Sequence, residues 1–284
     1  MTALARAFIL VVVGLGGDPD HATLFERWGS SFAASATTLG VPADRVQHLT
    51  GNPTKADVEQ AMAKIARASG PDDVLVVVLI GHGTFDGRVP KFNLKGPDLA
   101  PADLEGMLKA VPARRLVLVN TTSASGPFKD ALAGPGRTIV TATRNGAEQF
   151  DTLFGGYFVD AFASESADLD KNRRVTVQEA YEFAQREVTK AYERTGLLAT
   201  EHSVLDDTGK LAAVFALGTA GGEAESADPK VRTLQAERRE LEQQVESLKV
   251  LKGSLEPARY DAELERLVTA LALKTRELRL AEAR

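Results

Sequence analysis

The chain has 284 residues, of which 44% are hydrophobic and 26% are charged, a composition typical of soluble globular proteins. Its 34 basic and 39 acidic residues give a net charge of −5, and no segment is dominated by basic residues, so we expect no nucleic-acid partner. Because the chain contains no cysteine, disulfides, thiolate metal sites and thiol nucleophiles are excluded. No apolar run approaches the roughly 18–20 residues of a membrane span, so we expect no membrane interaction.

The first apolar run, residues 7–13, is preceded by Arg6 and could be taken for the core of a signal peptide. However, it is rich in β-branched residues and ends in a glycine-rich turn without a small-residue cleavage pattern. We therefore predict a buried first strand. We expect a soluble protein, either cytoplasmic or exported with its signal segment absent from this chain.

Short apolar runs alternate with amphipathic segments along the rest of the first two hundred residues. The predicted strands are runs of Val, Leu and Ile at residues 7–13, 74–80, 116–119 and 138–141. The predicted helices, with apolar residues at helical spacing, cover residues 22–39, 54–69, 101–110, 152–163 and 177–194. Thr54 and Asp57 have the spacing of a capping pair. This alternation predicts an open parallel sheet with helices on both faces, and ligands then bind at the carboxyl ends of the strands.

The chain becomes much more charged from about Glu223 onwards, and residues 219–222 form the predicted linker. Two stripes of leucine at helical spacing follow. The first contains Leu234, Leu241 and Leu248, together with Val245 and Leu251, and the second contains Leu264, Leu267, Leu271 and Leu278. Two amphipathic helices joined by a break at Gly253 and Pro257 predict an antiparallel, coiled-coil-like hairpin. We thus predict two domains, residues 1–222 and 223–284. The hairpin either forms a homodimer or binds a protein partner, or it folds back on its own domain.

Two of the predicted strands end in segments suited to chemistry. The run that ends at Ile80 continues into Gly81-His82-Gly83, and the run that ends at Val119 continues into the hydroxyl-rich segment 120–126. A histidine suited to proton transfer and a hydroxyl residue, Ser123, would then lie at neighbouring strand ends as a base and a nucleophile. The backbone amides of Gly83 and Ser123 could bind an oxyanion. The alternative is that both segments are ordinary turns.

These segments resemble the two motifs of the caspase–legumain group (clan CD) of cysteine peptidases, and bacterial legumain-like members most closely. That group has a strand followed by His-Gly, and a second strand followed by a small or acidic residue, a small residue, Cys, any residue and Ser-Gly. Gly81-His82-Gly83 matches the first motif and residues 121–126 match the second. The resemblance covers roughly residues 7–220. It implies an α/β fold, a three-layer αβα sandwich with a mostly parallel sheet, and a peptide or protein ligand.

Two residues depart from the pattern of the group. Ser123 stands where the resemblance places the nucleophilic cysteine, and Thr121 stands where an acidic residue is usual. A hydroxyl is a weaker nucleophile than a partly ionised thiol, and the histidine of the group has no acidic residue to orient it. The resemblance therefore favours a pseudo-peptidase with a His82/Ser123 site. Two alternatives stay open: an engineered Cys-to-Ser form of a cysteine peptidase, and an active hydrolase that uses Ser123 with His82 as base.

The resemblance also points to a specificity pocket, because legumain-like peptidases have a charged residue there shortly after the first strand. Asp18 and Asp20 occupy that stretch in this chain. They predict a substrate-binding site for a basic side chain. The alternative is that Asp-Pro-Asp is simply a turn.

Residues 168–179 have the spacing of an EF-hand calcium loop. The predicted calcium ligands are Asp168, Asp170, Asn172, the carbonyl of Arg174, and the carboxylate of Glu179, with Thr176 at the ninth position. The loop departs from the pattern at Arg173, where glycine is usual, so we expect weak, structural binding of calcium and no other cofactor. The alternative is an Asp-rich loop that caps the helix starting near Thr176.

Overall fold

The structure is a computed structural model that describes residues 6–164, 166–172, 174–217, 228–250 and 256–282. The chain divides into two units, Met1–Gly221 and Gly222–Arg284. The predicted linker, residues 219–222, lies outside the described residues.

The strands of the first unit, in chain order, are β1 (Ala7–Val13), β2 (Val46–Leu49), β3 (Val74–Ile80), β4 (Gly83–Phe85), β5 (Pro90–Phe92), β6 (Arg115–Asn120), β7 (Arg137–Thr141) and β8 (Val204–Asp206). Within the described residues, six of them form one sheet in the order β2-β1-β3-β6-β7-β8, and β4 pairs with β5 as a hairpin. The six-stranded sheet is parallel except for β8, which runs antiparallel to β7.

The helices of the first unit are α1 (Pro19–Thr38), α2 (Lys55–Ala68), α3 (Pro101–Ala110), α4 (Gly126–Leu132), α5 (Phe154–Ala161) and α6 (Val177–Thr195). They cover both faces of the sheet, because alternate residues of a strand point to opposite sides. On one face the odd-numbered residues of β1 pack in a core with Phe32 of α1, Phe158 of α5 and Ala184 of α6. On the other face the even-numbered residues of β1 pack with α2, α3 and α4. The predicted α/β fold with a mostly parallel sheet between helical layers is confirmed, and it is consistent with a caspase-like fold.

Several predicted boundaries differ from those of the structure. Helix α1 begins at Pro19 rather than at residue 22, because the side chain of Asp18 accepts hydrogen bonds from the amides of Asp20 and His21 and so caps the helix. Strand β2 and the β4–β5 hairpin are additional elements that the search for apolar runs missed. Strand β8 was missed too, and it has three residues at the sheet edge.

The second unit consists of α7 (Pro229–Val250) and α8 (Pro257–Glu282), packed against each other as a hairpin. Val245 and Leu248 of α7 are buried against Tyr260 and Leu267 of α8, and a second cluster joins the other ends of the two helices. The predicted leucine stripes thus face each other within one chain. The predicted contact of Leu251 and the predicted break at Gly253 lie outside the described residues. In the part of the chain that the structure describes, every helix is too short or too polar to cross a membrane.

Candidate active site

His82 lies just beyond the carboxyl end of β3, and its ring is held by the loop that follows β1. Its Nε2 donates a hydrogen bond of 2.9 Å to the carbonyl oxygen of Gly16. The ring also packs edge-on against Phe25, with the ring centres 5.0 Å apart. Because the Nε2–H is used in this bond, Nδ1 is the nitrogen that can accept a proton.

Ser123 lies beyond the end of β6, the strand next to β3, and its residue is 9% exposed. Its Oγ donates a hydrogen bond of 3.4 Å to the carbonyl oxygen of Gly83. Its own carbonyl accepts a bond of 3.0 Å from Oγ1 of Thr143, a buried residue beyond the end of β7. Thr143 also bonds the side chain of Ser125 at 3.1 Å. The segment that carries Ser123 is therefore fixed by buried hydroxyl groups.

His82 and Ser123 line the same small cavity at the carboxyl edge of the sheet. The other lining residues are His21, Leu24, Phe25, Trp28, Gly81, Asp151, Thr152 and Leu153. The structure thus brings together the two residues that the sequence predicts as base and nucleophile. Among the hydrogen bonds of the described residues, none joins the side chains of His82 and Ser123.

Gly83, the third residue of the predicted catalytic set, is the first residue of β4. A Cβ atom on Gly83 would lie 2.7 Å from Oγ1 of Thr122 and 2.9 Å from Cβ of Ala124. Glycine is therefore required for the close packing of this strand against the segment that carries Ser123. The predicted use of the Gly83 amide as an oxyanion donor stays a prediction.

Two further ionisable residues of this cavity, His21 and Asp151, belong to none of the sequence motifs. His21 Nε2 lies 3.4 Å from Oδ2 of Asp151, and Nδ1 of His82 lies 3.5 Å from Oδ1 of the same carboxylate. The rings of His21 and His82 are 4.9 Å apart and meet edge to face. The sequence indicates these two residues only by their positions after predicted strands. His21 follows the end of β1 and Asp151 follows the end of β7, and these parallel strands end at the same edge of the sheet.

Asp18 and Asp20, the predicted ligands of a basic side chain, lie at the start of α1 and are not among the residues that line the cavity. Oδ2 of Asp18 accepts a hydrogen bond of 2.6 Å from Nδ1 of His21. The backbone and side-chain hydrogen bonds from His21 lower the pKa of Asp18, and the side-chain bond raises the pKa of His21. Asp18 thus orients a residue of the cavity. Its role in substrate binding, and that of Asp20, stay predictions.

The loop that carries Asp151 is anchored by hydrogen bonds of the three residues that follow Asp151. Thr152 Oγ1 donates a bond of 2.6 Å to the carbonyl oxygen of Thr121. The amides of Leu153 and Phe154 donate bonds of 2.7 and 3.0 Å to the carboxylate of Glu201, which is 3% exposed. Burial raises the pKa of Glu201, and the two amide bonds oppose that shift. These contacts tie the Asp151 loop to the segment that carries Ser123.

The predicted calcium loop lies between α5 and α6, in the same unit. Oxygen atoms of Asp168, Asp170 and Glu179 lie within 4.8 Å of one another, and the first and last of these residues are buried. Glu179 Oε2 accepts bonds of 2.9 and 2.8 Å from the amide and Oγ1 of Thr176, which forms a capping box at the start of α6.

The other predicted members of the calcium loop are held by short-range bonds. The amide of Asn172 donates bonds of 3.1 Å to both Asp168 and Asp170, and the Asn172 side chain accepts a bond of 2.8 Å from the amide of Arg174. Arg173, the departure from the motif, lies outside the described residues. Glu179 thus caps helix α6, as the alternative interpretation of this loop expects. Binding of calcium to the loop stays a prediction.

The sheet order and the histidine beyond the end of β3 are consistent with a caspase-like α/β domain. Residues 41–206 match the sequence profile of the Peptidase C13 family. The chain belongs to this family, the legumain family of peptidases. No curated protein matches the chain. The role of Ser123 and the closeness to bacterial members stay predictions.

Proposed function

We propose that this chain is a legumain-family peptidase homologue whose His82/Ser123 site has weak or no peptidase activity. Family membership supports a domain built to bind peptides at this sheet edge. The shared cavity supports the pairing of a base with residue 123 at that edge. Because a serine hydroxyl is a weaker nucleophile than a thiolate, Ser123 then limits the rate of peptide cleavage.

The observation that carries the proposal is that, among the described residues, no hydrogen bond joins the side chains of His82 and Ser123, although both line one cavity. Ser123 Oγ lies 3.4 Å from the carbonyl oxygen of Gly83, whereas the ring nitrogens of His82 face the Gly16 carbonyl and Asp151. A serine hydroxyl becomes nucleophilic when an adjacent base accepts its proton, and nucleophile and base then lie about 2.6–3.2 Å apart. In the described residues, the Ser123 hydroxyl group has no hydrogen bond to a base that could accept its proton.

A cysteine at position 123 would relieve this limit, because a thiol ionises far more readily than a hydroxyl. Its proton would pass to Nδ1 of His82, and the sulfur would attack the carbonyl carbon of the peptide bond. The imidazolium would then give its proton to the leaving amine nitrogen, and water would release the acyl group from sulfur. This chemistry describes the alternative form of the protein, an active cysteine peptidase.

Turnover of peptides by three forms of the full chain tests the proposal. We expect the chain itself and Ser123→Ala to be equally inactive on a panel of fluorogenic peptides that differ in the residue before the scissile bond. We expect Ser123→Cys to gain turnover, and Ser123→Cys combined with His82→Ala to lose it. Turnover by the chain itself that Ser123→Ala abolishes would contradict the proposal and establish a serine hydrolase.

A further inference from the structure

We infer that His21, His82 and Asp151 bind a zinc ion in the cavity at the carboxyl edge of the sheet. Each residue offers one ligand atom, and these atoms lie within 4.8 Å of one another. Two imidazole nitrogens and one carboxylate oxygen form a donor set that suits zinc. The inference goes beyond the proposed function, because metal binding requires these three side chains and no peptide turnover.

The distances within the cluster fit a shared metal better than direct hydrogen bonds. The nitrogen–oxygen separations from Asp151 are 3.4 Å to His21 and 3.5 Å to His82. Hydrogen bonds of this kind are about 2.7–3.2 Å long. Ligand atoms about 2.0–2.2 Å from a tetrahedral zinc ion lie about 3.3–3.6 Å from one another. The two observed separations lie in this range and end on different oxygens of Asp151, so each carboxylate oxygen is placed to share a zinc ion with one ring nitrogen.

The outward nitrogen of each ring is held by an acceptor, as is typical of histidines that bind metals. Nδ1 of His21 donates to Asp18 at 2.6 Å, and Nε2 of His82 donates to the carbonyl oxygen of Gly16 at 2.9 Å. In the neutral rings these bonds place the lone pairs of the other two nitrogens toward the Asp151 carboxylate. A metal ion bound between the two nitrogens and the carboxylate would satisfy these lone pairs.

The surroundings of the cluster allow a metal ion to reach it and to keep an open position. The Asp151 side chain is 66% exposed and that of His21 is 30% exposed, so both can adjust by a few tenths of an ångström. Phe25 and Trp28 line the cavity beside them. Three protein ligands leave the fourth position to water or to a group of a bound peptide. A zinc ion on His82 would also prevent that residue from acting as a base, and this consequence alone rests on the proposed function.

The rival explanation is a network of ion pairs, in which a proton on His21 is shared between Asp18 and Asp151 and no metal binds. Calorimetric titration of the untagged full chain with zinc chloride, in metal-free buffer, separates the two accounts. We expect saturable binding of one zinc ion per chain. Cobalt(II) in its place should give the visible absorption of a four-coordinate ion.

Five variants locate the site. We expect Asp151→Asn and His21→Gln to lower the affinity for zinc by at least about 10-fold, whereas Glu179→Gln and His202→Gln, which alter groups outside the cluster, should retain it. Asp18→Asn keeps a good helix-capping residue but removes the charge that orients His21. It should weaken binding by about 10–100-fold.

Far-UV circular dichroism and thermal unfolding in EDTA are measured for each variant, so that a loss of affinity is not mistaken for a loss of fold. Both cluster variants change partly exposed side chains, and we expect both to fold. The absence of saturable zinc binding by the chain would overturn the inference. Wild-type affinity in either Asp151→Asn or His21→Gln would overturn it as well, because the ion would then be bound elsewhere.

Discussion

Gly16 allows the loop after β1 to reach His82 while α1 begins directly behind it. A Cβ atom on Gly16 would lie 2.3 Å from the amide nitrogen and 2.5 Å from Cα of Ala22. The loop after β1 and the first turn of α1 would have to move apart to accommodate this Cβ atom. Since the Gly16 carbonyl is also the acceptor for His82, the same residue fixes both the packing of α1 and the direction of the imidazole.

We therefore predict that Gly16→Ala destabilises the protein by about 1–3 kcal/mol, the usual cost of overpacking. It should also change the NMR signals of the His82 ring. The matched control is Gly106→Ala in α3, where nothing but the adjacent residues and the backbone of the helix itself lies within 4 Å of the added methyl group. There the higher helix propensity of alanine should stabilise by about 0.8–1.0 kcal/mol. Urea unfolding of both variants measures the effect, and equal stabilities would show that the loop accommodates a side chain.

At the level of single residues, the sequence predicts part of the cavity. His82 and Ser123 stand in recognisable motifs directly after long apolar strands, so their meeting at one sheet edge follows from parallel topology. His21 and Asp151 belong to no motif, and Asp151 lies ten residues beyond the end of β7. Parallel topology places the Asp151 loop at the same sheet edge, and contacts of the folded chain, such as the bond from Thr152 to Thr121, then bring Asp151 to His82.

At the level of elements, the start of α6 determines what the predicted calcium loop can do. Thr176 and Glu179 form a capping box at the start of this helix, in which the side chain of each residue accepts a hydrogen bond from the backbone amide of the other. Oε1 of Glu179 accepts a further bond of 2.9 Å from the amide of Leu169. Lys171 has a φ angle of 61°, which is unfavourable for a residue with a side chain. Both oxygens of Glu179 thus accept bonds from backbone amides of Thr176 and Leu169, and an ion would compete with these bonds, so we expect a low affinity for calcium.

We predict that millimolar calcium raises the midpoint of thermal unfolding relative to EDTA, since an ion that binds only the folded state stabilises it. For a chain of this size each kcal/mol corresponds to about 2–4 °C. Glu179→Gln should abolish the rise while keeping a capping box, because glutamine also serves at that position. Glu193→Gln, at an exposed position of α6, should leave the rise intact. A midpoint that is the same in calcium and EDTA would refute calcium binding.

An ion pair between α3 and β7 predicts a dependence of stability on pH. Nη1 of Arg137 donates a hydrogen bond of 2.6 Å to Oε2 of Glu105, and this bond, aided by the charge of Arg137, lowers the pKa of Glu105. A carboxyl group with a lower pKa in the folded state stabilises the fold above its unfolded-state pKa of about 4.3. That contribution is lost as the pH falls through the folded-state pKa.

Glu105→Gln should therefore cost up to about 1 kcal/mol at neutral pH, and the cost should decrease as the pH falls through the folded-state pKa of Glu105. Urea unfolding at about pH 7 and about pH 3 measures the difference. Glu59→Gln, at an exposed position of α2, is the control and should have little effect at either pH. A cost for Glu105→Gln that does not change with pH would show that the charge is not responsible.

The elements that the sequence predicts best are those with continuous patterns. Strands β1 and β3 and helix α3 have the predicted bounds, because fully buried strands are unbroken apolar runs and α3 begins with proline after a turn. Strand β2 is half-buried along its length and β8 has only three residues, so neither has a hydrophobic pattern strong enough to detect. Their places are set by pairing with β1 and β7.

At the level of the whole molecule, each unit has a core of its own. The hairpin of α7 and α8 buries Leu267 to 3% exposure, whereas Leu273 on the same helix is 57% exposed. The leucines predicted to mediate association are largely used within the chain. A homodimer or a protein partner bound through residues 223–284 stays a prediction, as does the domain boundary at residue 222.

We predict that Leu267→Ala destabilises the hairpin by about 2–5 kcal/mol without shifting the unfolding of the first unit. The single tryptophan, Trp28, lies in α1, so its fluorescence reports only on the first unit, whereas far-UV circular dichroism reports on the helices of both. Leu273→Ala, at an exposed position, should change stability by less than about 0.5 kcal/mol. An equal shift of the two signals in Leu267→Ala would show that the chain unfolds as one cooperative unit.

The central claim, that His82 is the base for residue 123, is tested most directly by the reactivity of the Ser123→Cys thiol. Because the chain contains no cysteine, the introduced thiol is its only one, and intact-mass measurement of alkylation by iodoacetamide reports on it alone. We expect alkylation below the usual thiol pKa of about 8.5 to be faster than that of an unperturbed cysteine, and His82→Ala to remove this advantage. Equal rates with and without His82, across the same pH range, would contradict the account.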